Sequence, residues 1–158
     1  MSTTYDYIET TSDQHYGAGF PAAGSDKFYV LSRTFDAAQA LTDVGASAWV
    51  ANDVVKLINI PARTLVVGVS CYMATAGAES TSSATLDIGD GDDPNGWEDG
   101  IDATAAFDIF SLTYANGGSV TDKDNGFYAD ADTIDVVLAD QIWTDGVFTI
   151  NVACVDMS

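Results

Sequence analysis

Basic residues are scarce. Five lysines and arginines stand against 24 aspartates and glutamates, a formal net charge of −19 over 158 residues. Binding to a phosphate backbone depends on cationic groups releasing counterions, so this balance argues against direct nucleic-acid contact. An anionic membrane surface is disfavoured for the same reason. Histidine is limited to His15, and a Ser/His/Asp or Cys/His nucleophile would need that one residue positioned by the core. The two cysteines, Cys71 and Cys154, form neither a CxxC nor a Cys/His cluster, which leaves a zinc site without ligands. No apolar run approaches the ~20 residues of a membrane span. The opening MSTTYDYIETTSDQ has neither the basic region nor the apolar stretch of a secretory signal, so synthesis and retention in the cytoplasm are expected. A phosphate-cradling loop is missing too, because GDGDDPNG (89–96) has no lysine and its aspartates repel phosphate.

What is present is a foldable, β-patterned chain. Its hydrophobic content of 47%, with 11% aromatics, excludes general disorder. The length suits one domain with a sizeable core. From the mass scaling, the charge amounts to about one net negative per ~400 Å² of surface.

Alternation with period two runs through residues 65–73, with Leu65, Val67, Val69, Cys71 and Met73 on one face and Val66, Gly68, Ser70 and Tyr72 on the other. Residues 53–60 and 64–73 read as a hairpin joined at Ile60-Pro61-Ala62-Arg63, since Pro61 cannot donate to a ladder. Further strands are expected at 27–35, 83–88, within 102–114 with a bend, at 133–138 and at 147–155. Asp145-Gly146 is a hairpin signal of the type I′ kind. Residues 36–52 read as a loop with at most one helical turn, with Trp49 over a core edge. Both cysteines fall on apolar phases and are expected as buried free thiols. Seven or eight short strands without a long helical pattern predict an all-β fold, a β-sandwich or barrel. Residues 1–26 keep no period and read as an extended N-terminal arm ahead of a single β-domain at 27–158. Its aromatics Tyr5, Tyr7, Tyr16 and Phe20 are candidate anchors on a partner surface.

Two candidate sites share one stretch. Asp87, Asp90, Asp92 and Asp93, with Asn95, Glu98 and Asp99 nearby, offer the hard oxygens that calcium takes. The EF-hand spacing fails because Pro94 falls on a ligand position, so a structural calcium and a plain solvated turn both stay open. Trp97 sits in the same loop and suits a subunit contact, a sugar-stacking platform or simple loop packing. Paired carboxylates of the glycosidase kind are uninformative in a chain with 24 acids.

The order DVVKLINIPARTLVVGV (53–69), TLDIGDGDDPNGWEDG (85–100), ADTIDVVL (131–138) and GVFTINVACV (146–155) resembles the capsid decoration proteins of tailed bacteriophages, also called cement or head-stabilising proteins. The resemblance implies a jelly-roll-like sandwich and a non-enzymatic virion protein. Such a protein is made in the host cytoplasm, binds the major capsid protein on the outer capsid surface and stabilises the shell as a homotrimer. On a virion reading, Tyr5, Tyr7, Tyr16 and Phe20 of the arm, together with Trp97, are the candidate capsid or subunit contacts. The alternative is a carbohydrate-binding module of a phage head fibre or tail fibre, working through Trp97 and calcium.

Overall fold

The computed structural model describes residues 4–6, 27–77, 84–112, 126–139 and 142–158. Along the chain these form β1 (Thr4–Asp6), β2 (Lys27–Asp36), α1 (Ala37–Val44), β3 (Asp53–Ile60), β4 (Thr64–Thr75), β5 (Thr85–Asp90), β6 (Glu98–Asp102), β7 (Phe107–Leu112), β8 (Phe127–Tyr128), β9 (Asp132–Ala139) and β10 (Val147–Asp156). Sheet I has the order β1-β3-β9-β5-β6; sheet II runs β2-β10-β4-β7, with β8 also on β4. Pairing is antiparallel throughout, except that β1 lies parallel to β3. The architecture is the expected all-β sandwich. Thr4–Asp6, expected in the arm, sits at the edge of sheet I.

Two turns expected to be hairpins are crossings between sheets. β3 pairs with β1 and β9, while β4 pairs with β10, β7 and β8, so residues 61–63 carry the chain from sheet I to sheet II. Pro61 ends one ladder and Arg63 turns the chain at φ 59°, a left-handed conformation found in sharp turns. Asp145-Gly146 likewise lies between β9 of sheet I and β10 of sheet II. Its turn chemistry is used locally: the Asp145 carboxylate accepts from the Gly146 N–H at 2.8 Å, and the Gly146 carbonyl accepts from the Ala37 N–H at 2.9 Å.

The alternation in β4 also changes phase. Ala153 of β10 faces Gly68 and Cys154 faces Val66, so Val67 is an extra residue. This bulge puts Thr64 and Val66 inward before it and Val69, Cys71 and Met73 inward after it. Leu65 and Val67, expected in the core, therefore point outward.

Residues 36–52 hold two helical turns, one more than expected. Asp36 caps α1 by accepting from the Gln39 N–H at 2.9 Å, and Gly45 closes it at φ 69° with its N–H on the Leu41 and Thr42 carbonyls. Gly45 is thus a stop signal. Ala37, Ala40 and Leu41 face the core at helical spacing.

Four crossings converge at the α1 end of the sandwich. Trp49, on the way from β2 to β3, exchanges backbone bonds of 2.9 and 3.2 Å with Trp143, on the way from β9 to β10. Gly77, after β4, lies so close to the Trp143 ring that a Cβ there would clash, and its N–H reaches the Ala103 carbonyl after β6 at 3.0 Å. Trp49 is fully buried, with its indole N–H on the Ala37 carbonyl at 3.0 Å. Tyr5 meets it edge-on at 4.8 Å, and Phe35 links it to Phe148.

Cys71 and Cys154 are buried free thiols. Their strands are neighbours, but Cys71 faces Ile150 and Cys154 faces Val66. A four-residue offset of ~13 Å along the strand is too far for a disulfide. Burial pushes both thiols up to about 12. A raised folded value means that the native state holds its protons longer. Stability is therefore full below the ordinary thiol value near 9 and declines as pH rises towards 12. In alkaline melts, the C71A/C154A variant is expected to show a shallower decline above pH 9 than the parent chain; parallel curves would remove the thiols as the cause.

Candidate functional site

The acidic stretch is a hairpin loop whose far arm is already strand. β5 and β6 pair through Thr85–Asp102, Leu86–Ile101 and Ile88–Glu98, so residues 91–97 form the loop. Asp90, buried at the end of β5, organises it. One carboxylate oxygen accepts the N–H groups of Asp92 at 2.9 Å and Asp93 at 3.0 Å. The Asp90 N–H returns to the Asp93 carbonyl, and the Trp97 N–H reaches the Ile88 carbonyl, both at 2.9 Å. Gly89 is required here, because any Cβ would overlap the Asp93 carbonyl and the Pro94 backbone.

The second Asp90 oxygen leaves the loop and reaches sheet II. It accepts from the Tyr128 hydroxyl at 3.0 Å, and that hydroxyl accepts from the Trp97 indole N–H at 3.1 Å. Tyr128 belongs to β8 on β4, so Trp97, Tyr128 and Asp90 tie the two sheets together opposite the tryptophan crossings. Burial, and then the Asp90 charge, push the Tyr128 hydroxyl well above the usual phenol range. It stays a donor to Asp90 under all ordinary conditions.

The four carboxylates chosen as calcium ligands are split. Asp90 and Asp92 join Asp132, at the start of β9, with one oxygen each within 4.8 Å of the others. Asp87 is turned away to accept the Gly100 N–H at 2.8 Å, and neither it nor Asp93 belongs to the trio. Asp132 lies some 40 residues further along the chain, and no local pattern points to it. Three carboxylate oxygens fall short of the six to eight ligands of calcium. Asp90 already carries three donors.

Trp97 is half-buried against the core, with its N–H committed to Tyr128. Tyr5 is half-buried on Trp49. Tyr7, Tyr16 and Phe20, with His15, lie outside the described residues. On the outward side of sheet I, Asp135 lies across from Lys56 and is buried. Burial holds its carboxyl above the usual range, against the pull of Thr133 and Lys56.

No protein-family model matches the chain, and no curated protein matches it in sequence. Three solved structures share the fold. A chain of the cyanophage Pam1 capsid asymmetric unit aligns with a TM-score of 0.58 and 13% identity, covering 94% of this chain and 99% of that one. The capsid of Ralstonia phage GP4 gives 0.55 at 16% identity, with 82% and 85% covered. The acidic stable capsid of Helicobacter pylori bacteriophage KHP30 gives 0.54 at 14%, with 83% and 89% covered. The fold is one found in phage capsids. At these identities the likeness is one of architecture.

The hydroxyl that joins the two sheets is open to test. Tyr128→Phe removes a group that accepts from Trp97 and donates to Asp90, and is expected to cost about 1–3 kcal/mol in urea denaturation. Tyr72→Phe, at an exposed position, serves as the near-neutral control. An unchanged midpoint for Tyr128→Phe would show that the bridge contributes nothing net.

Proposed function

We propose that this chain is a non-enzymatic structural protein of a phage virion, one that binds the outer surface of the assembled capsid and stabilises it. The observation that carries the reading is the extent of the shared fold. Between 85% and 99% of each capsid chain is covered, so the likeness is to whole chains and not to one module of a larger protein. The partner is the major capsid protein, and the assembling unit is a homotrimer, both as the decoration-protein resemblance implies. Tyr7, Tyr16 and Phe20 are the shell-contact residues, with Tyr5 tying the start of that segment to sheet I and Trp97 stiffening the loop. Multivalent attachment gives each further subunit contact a high effective concentration. A protein that binds only the assembled shell stabilises it by mass action. A sugar platform at Trp97 has less support, because its ring packs on the core and its N–H is taken.

Quantitative mass spectrometry of purified particles tests the role. A copy number near that of the major shell protein is expected. A few copies per particle would move the chain to a fibre or tail, and absence from particles would refute a virion role. A structural calcium at the Asp90, Asp92 and Asp132 trio would take most of its ligands from water and so bind weakly. Millimolar calcium is then expected to raise the melting temperature slightly over chelator; superimposable curves would leave the loop to its own hydrogen bonds.

A further inference from the structure

From Phe28 to Thr34 of β2, Thr149 to Val155 of β10 and Leu65 to Tyr72 of β4, and at Phe127 of β8, the outward positions of sheet II carry no charge; Asp36, at the α1 end of β2, is the first acid on that face. The strand registers set it out in four rows. Phe28, Val155, Leu65 and Phe127 form the first, and Val30, Ala153 and the Val67–Gly68 bulge the second. Ser32, Asn151 and Ser70 form the third, and Thr34, Thr149 and Tyr72 the fourth. Phe28 is 58% exposed, Val67 44%, Tyr72 39% and Phe127 38%, so the large apolar groups are in water. In a chain with 24 acids this is a selective omission, since the outward positions of sheet I include Lys56, Asp87 and Asp102.

The polar rows are also prepared for dehydration. Ser32 donates to the Asn151 side-chain amide oxygen at 2.7 Å, the Asn151 amide N–H donates to the Ser70 hydroxyl at 3.4 Å, and Thr34 bonds Thr149 at 2.7 Å. These groups satisfy one another sideways, so covering the face leaves few of them unpaired.

Charge identifies the occupant. A basic partner is best met by a face that keeps its acids, because complementary charge steers and orients association. An uncharged face on a body of net −19 suits a partner that is itself acidic, and another copy of this chain is one by construction. We propose that copies of this chain associate through the outward face of sheet II, turning it towards a shared symmetry axis. The proposal rests on the homo-oligomeric part of the reading above and adds the surface that makes the contact.

The face spans three strands by about seven residues, with Phe127 of β8 beyond them, roughly 330 Å² from strand spacing and rise. That is less than half of the ~800 Å² per partner of a standard interface. Dilute protein is therefore monomeric, and association appears on crowding.

Sedimentation velocity of the full chain from about 5 to about 500 µM, at low and at ~0.5 M salt, tests this. The expected result is an average mass that grows with concentration and grows further with salt, because screening relieves repulsion between acidic bodies while the apolar contact persists. The F28E/F127E variant is expected to stay monomeric with an unchanged circular-dichroism melt, and I142E, at an apolar position exposed elsewhere, to associate normally. Should F28E/F127E melt early, T34E on the exposed polar row supplies the same test. A monomer at every concentration and salt, association that salt dissolves, or association that neither face variant weakens would each overturn the proposal. A solution monomer whose F28E/F127E variant also fails to bind purified shells would give the face to the shell instead. Loss of the virion role is read separately, from the copy number in particles.

Discussion

Two tryptophans close one end of this sandwich, and most of the topology depends on them. A chain that passes repeatedly between two sheets leaves a connection at each passage, and each connection has backbone groups that no ladder satisfies. Trp49 and Trp143 solve this by bonding each other's backbone, so two crossings satisfy one another. Gly77 allows a third to approach within the thickness of a ring, and Ala103 brings in a fourth. Around that junction Tyr5, Phe35 and Phe148 link both sheets into one core.

The opposite end is held by polar groups. Asp90 folds its own loop and then reaches across to Tyr128, which collects Trp97. The negative charge that is repulsive over most of the surface is used here as a hydrogen-bond acceptor with three donors. The two ends thus divide the labour: apolar contact fixes the crossings, and a buried carboxylate fixes the loop.

Strands were readable from the sequence wherever one face is buried and regular. Val147–Asp156 shows this, with Phe148, Ile150, Val152 and Cys154 inward as the alternation requires. The reading fails in β4, where a single extra residue at Val67 reverses the phase; the adjacent Gly68 was the signal for it, since an isolated glycine within a strand often marks a bulge. It fails again at Ile60-Pro61-Ala62-Arg63 and Asp145-Gly146. Turn chemistry reports that the chain reverses, but not whether the next strand pairs with the last one or with a distant one. In the candidate site, Asp90 and Asp92 were visible as neighbours in sequence. Asp132 and Tyr128 were not, because only the pairing of β9 with β5 and of β8 with β4 brings them there.

That pairing pattern has a kinetic side. Apart from the β5–β6 hairpin, the described strands find their partners far along the chain, and such contacts form only after a large loss of chain entropy. β10 follows every other described strand, yet it lies between β2 and β4 at the centre of sheet II. While the chain is still on the ribosome and β10 is unmade, β2 and β4 have no strand to join them and their apolar sides face water. Nascent chains in this condition are prone to aggregate, which is the situation that holding chaperones relieve. A dense negative charge would keep neighbouring unfinished chains apart during that interval.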